Sequence, residues 1–118
     1  MSRFPAIVFT GPNEVELRTF ERPECGPREM ICETLYTFVS PGTELRVLGG
    51  HYGASEKYPL IPGYSVVARV AETGSEVKGF EEGDLVSGRN PKPLPDIGFQ
   101  WGGQAAVHVY EAEGVDRP

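Results

Sequence analysis

Glycine and proline interrupt this chain so often that it has no room for a long helix. Gly 15 and Pro 11 together supply about a fifth of its 118 residues. In a helix interior Gly costs about 1 kcal/mol and Pro about 3 kcal/mol relative to Ala. Short alternating runs joined by turns are what such punctuation permits, so a fold of many small strands is expected.

The runs can be placed one by one. "PAIVFT" reads as a first strand, closed by the turn signal Gly11-Pro12-Asn13. "EVELRTF" alternates Val15, Leu17 and Thr19 with charged residues, as a half-buried strand would. A Pro/Gly-rich loop leads to "EMICETLYTFVS", the longest β candidate. A turn at Pro41-Gly42 then opens one or two helical turns, Thr43 to Leu48, with Thr43 as N-cap and Gly49-Gly50 as the stop. In the loop that follows, Pro59 and Pro62 keep the backbone extended and exclude a central strand. "YSVVARVAETG", "DLVSG" and "GGQAAVHVY" read as further strands, the last two separated by a proline-rich loop. The period-two pattern puts Val66, Ala68 and Val70 on one face. There are no repeats or heptads, so a β-barrel or sandwich is expected.

Composition excludes several functions. A formal net charge of -6 and no cluster of Lys or Arg argue against nucleic acid as a partner. No run approaches the 18 or so apolar residues of a membrane span, and the N-terminus lacks a signal-peptide pattern. A cytoplasmic, soluble chain is expected. Cys25 and Cys32 match neither a CxxC motif nor a zinc pair. Two readings remain open for them: a disulfide, if their Cα atoms come within about 7 Å, or reduced, partly buried thiols.

The order of motifs adds more than any one of them. "GTELRVLGGHY", "YPLIPGY", "VARVAETGSEVKGFEEGDLVSG" and "WGGQAAVHV" follow in sequence. Together they resemble the N-terminal GroES-like domain of the medium-chain dehydrogenases/reductases, from Pro5 to about Val115. The resemblance implies a mainly β chain, a GroES-like partly open β-barrel with one or two short helices, spanning residues 1–118. The "SPGTEL" variant is similar to members related to bacteriochlorophyllide dehydrogenase and threonine-dehydrogenase-like groups. Independently of the family, Gly74 and Gly83 suit turns that need close approach or positive φ. Val77 and Phe80 read as plugs for the end of the barrel, and Asp84 as an acceptor for loop amides.

In zinc-dependent members this domain carries a cysteine before the Gly-Thr-Asp element and a His-Glu pair after Pro-Gly. Here Ser40 and Pro41 precede Gly42, and Tyr64 and Ser65 follow Pro62-Gly63. Proline offers no donor, and neutral hydroxyls are poor zinc ligands. The cysteine-rich structural-zinc lobe is replaced by "GRNPKPLPDIGFQWGG", and His51 and His108 lack companions at ligand spacing. No metal is therefore expected, and His108 reads as an ordinary strand residue.

A zinc-free site of this kind polarises a carbonyl or enone through hydrogen bonds, and a positioned acid supplies the proton. Ser40, Thr43 and Tyr64 are the catalytic candidates, with Arg46 and Ser65 for substrate contact. Each has a plainer alternative: Thr43 as a helix cap only, Arg46 as a solvated helix side chain. The dinucleotide fingerprint GxGxxG between strand and helix is missing; the glycines of "LGGHYGASE" follow a helical turn instead. The resemblance implies that NAD(P)H would bind a Rossmann domain outside these residues, and that the 118-residue chain is inactive alone. It also implies a small-molecule substrate and allows a homodimer. A competing reading is a stand-alone GroES-like binding or interaction module without enzymatic activity. In that reading the loop from Gly49 to Pro59 is the nearest analogue of a chaperonin mobile loop, though it lacks an apolar tip. Phe99 and Trp101 are candidates either for an apolar interaction surface or for the core.

Overall fold

The computed structural model describes residues 3–50, 58–63, 65–89, 91–95, 97–99 and 102–116. Its strands are β1 (Arg3–Gly11), β2 (Glu14–Glu21), β3 (Glu29–Phe38), β4 (Leu60–Ile61), β5 (Ser65–Thr73), β6 (Leu85–Gly88), β7 (Gly98–Phe99), β8 (Val107–Glu111) and β9 (Val115–Asp116). One α-helix, α1 (Pro41–Leu48), and a 3-10 turn at Ala112–Gly114 complete the described elements. The strands form a four-stranded sheet, β2-β1-β4-β7, and a five-stranded sheet, β8-β3-β5-β6-β9. This is the mainly β, partly open barrel with a short helix that the family resemblance implies, and the barrel alternative of the two that the run pattern left open.

Alternation on each strand accounts for the cores. On β1, Phe4, Ala6 and Val8 point between the two sheets, joining Ile31, Ile61, Val107 and Val109. Phe9 joins Val47 and Leu60 in a smaller cluster under α1. Val66, Ala68 and Val70 of β5, on the face their period-two spacing predicts, pack with Met30, Cys32, Val86 and Tyr110 inside the five-stranded sheet. Each large apolar side chain buried this way contributes about 1.5–3 kcal/mol. Val77 and Phe80 close that core from the acidic loop, as expected. Asp84 accepts the Glu81 N–H at 3.0 Å, and Gly83 has φ +94, both in their expected roles.

The structure corrects the local reading at four places. Leu60 and Ile61 lie between β1 and β7, inside a sheet, although prolines flank them. Pro59 and Pro62 sit outside the two paired residues, which keep their own N–H groups, so the strand is shortened and not abolished. The N-cap of α1 is Ser40, not Thr43, and Pro41 occupies the first turn, where its missing N–H costs nothing. Val15 and Leu17 of β2 are exposed at 58% and 70%. Among the described strands β2 forms the sheet edge and pairs with β1 alone, so its alternation has no second layer to face. Finally, the segment 102–106 is a crosslink and not the start of β8, and β8 is itself followed by β9, which pairs with β6. Ile7 donates to the Gln104 carbonyl at 2.8 Å, Ala106 to the Pro5 carbonyl at 3.0 Å, and Thr34 to the Ala106 carbonyl at 2.9 Å. It ties both sheets together.

Candidate functional site

Three chain segments meet where the candidate residues lie. The first is the end of β3 and the start of α1. Ser40 is half-buried, and its N–H donates to the Glu44 Oε2 at 2.8 Å. The Ser40 carbonyl accepts the Glu44 N–H at 2.9 Å, which starts the helix. A carboxylate in the first turn also complements the positive end of the helix dipole. Thr43 is half-buried in that turn, and Arg46 is exposed in the last.

The second segment is the corner Pro62-Gly63 leading into β5. Ser65 pairs across the ladder with Phe38, so the two junctions run side by side. Gly63 has φ +114 and lies so close to the third segment that a Cβ would sit 2.6 Å from the Gln104 backbone nitrogen. Only glycine fits this conformation and this gap. Pro62 accepts the Gln104 N–H at 2.8 Å and Gly63 accepts the Gly103 N–H at 3.0 Å.

The third segment brings Gln104, which connects the other two. Thr37 Oγ1 donates to the Gln104 Oε1 at 3.2 Å, and Gln104 Nε2 donates to the Glu44 Oε1 at 3.3 Å. A continuous polar line therefore runs from Thr37 through Gln104 and Glu44 to the backbone of Ser40. Sequence reasoning missed Gln104, Glu44 and Thr37. A Ser-Pro pair followed by an early Glu is a legible helix-start signal for Glu44. Nothing local marks Gln104, whose role comes from a contact with residues 60 positions away.

The candidates are not all gathered in one cavity. Ser65 lines a cleft of about 540 Å³ with Ser87, Gly88, Arg89, Gly114 and Asp116, which Ser40, Thr43 and Arg46 do not line. A separate groove of about 590 Å³, with Phe20, Pro23, Leu94 and Val109 in its wall, includes none of the candidates. Tyr64, His51 and Trp101 lie outside the described residues, as does the side chain of Phe99. Among the described residues no three His, Cys, Asp or Glu side chains come together as a metal site, and no helix is long and apolar enough to cross a membrane.

The remaining ionisable groups near the barrel interior are buried. Burial pushes the Cys32 thiol up to about 12 and raises the Tyr110 phenol well above its usual range. Both cysteines are free thiols. His108, read from the sequence as an ordinary strand residue, is buried and hydrogen-bonded through both ring nitrogens, to Thr34 and to the Gly102 carbonyl.

Comparison with known proteins identifies the fold and the family. Residues 26–114 match the family model for the alcohol dehydrogenase GroES-like domain. The chain is 31% identical over 86 residues to the 2-desacetyl-2-hydroxyethyl bacteriochlorophyllide A dehydrogenase of Cereibacter sphaeroides, covering 71% of this chain and 27% of that protein. It is similar to a thermostable alcohol dehydrogenase from Pyrobaculum aerophilum, with a TM-score of 0.74 and 26% identity over 96% of this chain and 40% of that one. The CAD protein of Helicobacter pylori, solved in complex with NADP(H), shares the fold, with a TM-score of 0.78 and 17% identity over 96% of this chain and 40% of its own. The chain thus spans well under half the length of these relatives. With its half-barrel fold and three quarters of its length matched, the chain belongs to the family of alcohol dehydrogenase GroES-like domains.

Proposed function

We propose that these residues are the substrate-side domain of a zinc-independent, NAD(P)-dependent medium-chain oxidoreductase acting on a carbonyl, alcohol or enone. The observation that carries this reading is the start of α1. Where a zinc-dependent relative would need a thiolate, the helix begins with Ser40 as its cap and Pro41 in its first turn. Proline has no donor atom, and the first turn is organised by Glu44 and Gln104 hydrogen bonds. The donor set does not fit zinc, so the chemistry is assigned to hydroxyls.

In this reading Ser40 and Thr43 donate hydrogen bonds to the substrate oxygen as charge develops on it, and Tyr64 holds the proton that the reduced product takes. Arg46 contacts the rest of the substrate, and Ser65, which lines a separate cleft, is assigned to a substrate that extends across the Phe38–Ser65 junction. Bound NAD(P)H supplies the hydride, held by a Rossmann domain belonging to the longer protein; a homodimer and a cytoplasmic location belong to the same proposal. The dehydrogenase name of the Cereibacter relative and the NADP(H) complex of the Helicobacter protein support the class of reaction.

The test begins with the reading frame around these residues. The whole encoded protein is expressed and assayed for NAD(P)H oxidation against aldehydes, ketones and enones, with and without a chelator. Turnover unaffected by chelation, and lost in Thr43→Val, is the expected result. Chelator-sensitive turnover would overturn zinc independence. A protein that neither binds NAD(P)H nor turns over any of these substrates would favour the binding-module reading.

A further inference from the structure

His108 stands at the centre of a polar chain that is one proton short. Its Nε2 lies 2.8 Å from the Gly102 carbonyl oxygen, and its Nδ1 lies 2.9 Å from Thr34 Oγ1. Thr34 Oγ1 in turn lies 2.7 Å from the Ala105 carbonyl oxygen. Both ends of the chain are carbonyl oxygens, which accept and never donate. Three contacts therefore need three protons. A neutral imidazole brings one, and the threonine hydroxyl brings one.

Each neutral tautomer leaves a different contact empty. With the proton on Nε2, His108 donates to Gly102, and the Thr34 hydroxyl must serve either Nδ1 or the Ala105 carbonyl. With the proton on Nδ1, His108 donates to Thr34, which passes its own proton to Ala105, and Nε2 faces the Gly102 carbonyl lone pair to lone pair. Imidazolium alone satisfies every contact. Burial works against it: His108 is 3% exposed, and its imidazole is pushed down to about 4, opposed by the Gly102 hydrogen bond.

We propose that His108 is a positioning residue whose tautomer decides whether the Gly102 carbonyl is held while Thr34 divides its proton between the ring and the Ala105 carbonyl, or is released while Thr34 holds Ala105 alone. The segment carries Gln104, and Gln104 holds Glu44 and, through it, the backbone of Ser40. The two neutral forms thus give two settings of the same link to the start of α1. That the link matters for substrate rests on the reading of α1 under Proposed function. The toggle itself is measured without substrate, so the two ideas fail separately.

The surroundings leave the ring to this network. From β3, Cys32 stands opposite it and Thr34 bonds it, and from β8 the Tyr110 ring lies 5.8 Å away. Burial keeps the Cys32 thiol and the Tyr110 phenol protonated and neutral. Residues 102–106 contain no ionisable side chain, and Glu33, next to Cys32, is exposed and lies 3.7 Å from Arg22. The sign of the pH effect follows. A folded-state imidazole depressed below its unfolded value, about 6.5, contributes stability above that value and loses it as pH falls. Pinning of both carbonyls by imidazolium is therefore a local change within the native state, set against a falling global stability.

The experiment is 15N NMR of the 118-residue chain labelled at histidine and backbone nitrogen. At neutral pH the two His108 ring nitrogens are expected to show averaged shifts of exchanging tautomers, with exchange broadening at Gln104 and Ala106. Thr34→Val removes the choice: the ring should settle as the Nε2–H tautomer, the broadening should vanish, and the His108 midpoint should fall by about one pH unit, a tenfold loss of proton affinity. Thr34→Ser, which keeps the hydroxyl, should behave as the unaltered chain, and this comparison stands if the valine variant does not fold. A single fixed tautomer in the unaltered chain, or a midpoint indifferent to Thr34→Val, overturns the proposal.

Discussion

Gly63 and Gln104 touch backbone to backbone, with no space between them for even a methyl group. A Cβ at Gly63 would lie 2.6 Å from the Gln104 nitrogen, and the residue's φ of +114 disfavours any side chain. Gly63→Ala is therefore expected to cost about 2–4 kcal/mol, through strain and through displacement of the segment that bridges the two sheets. Urea unfolding checks this as a lower midpoint at unchanged m-value. Gly42→Ala is the control, because nothing lies within 4 Å of a Cβ there.

Tyr110 reaches from β8 to β6, and its ring occupies the space where Gly88 lacks a side chain; a Cβ on Gly88 would lie 2.8 Å from the ring. The Tyr110 hydroxyl is buried with no hydrogen-bond partner among the described residues. Removing an orphaned polar atom relieves its desolvation cost, so Tyr110→Phe should be about 1 kcal/mol more stable. Gly88→Ala should be destabilised, and part of that loss should return when Tyr110→Leu is combined with it. Thermal unfolding of the single and double variants gives the coupling.

The Glu29 carboxylate ties the proline-rich loop to the edge of β3. Lys92 Nζ lies 3.0 Å from its Oε2, and the Gly26 N–H donates to its Oε1 at 2.9 Å. The Lys92 hydrogen bond is the main influence holding its pKa below the ordinary carboxylate value, with the Gly26 amide adding to it against a burial that opposes. A depressed carboxylate contributes stability above its unfolded value, about 4.3, and that contribution is lost as pH falls through the folded value. Lys92→Met should lower stability at pH 7 by about 0.5–1 kcal/mol. The difference between the two proteins should shrink as pH falls below that range, read from denaturant midpoints at several pH values.

The two thiols should differ in reactivity. Cys32 is fully buried, and burial pushes its thiol up to about 12, so it holds far less thiolate than an ordinary cysteine at the same pH. Cys25 is half-buried, and burial together with the nearby Glu72 and Glu29 charges raises its pKa as well. Labelling with a thiol reagent at pH 8 should modify Cys25 slowly and Cys32 at the rate of unfolding alone. Equal native-state rates at the two sites would refute the burial argument.

Local pattern was enough for the β architecture. Alternation at Val66, Ala68 and Val70 is set by strand geometry, and the breakers at Gly11-Pro12-Asn13 and Gly49-Gly50 end elements wherever the rest of the chain goes. Chemical identity is equally local: that Pro41 carries no metal donor needs no coordinates. Other features depended on tertiary partners. Leu60 and Ile61 became a central strand because β1 and β7 offered hydrogen bonds on both sides, and Val15 and Leu17 stayed exposed because no described layer covers the sheet edge. Gln104 joined the candidate site through residues distant in sequence, and His108 acquired its proton-short network from Thr34, Gly102 and Ala105. A chain's own periodicity reports what each segment can bury or bond, but which segment arrives to be its partner is decided only when the whole fold closes.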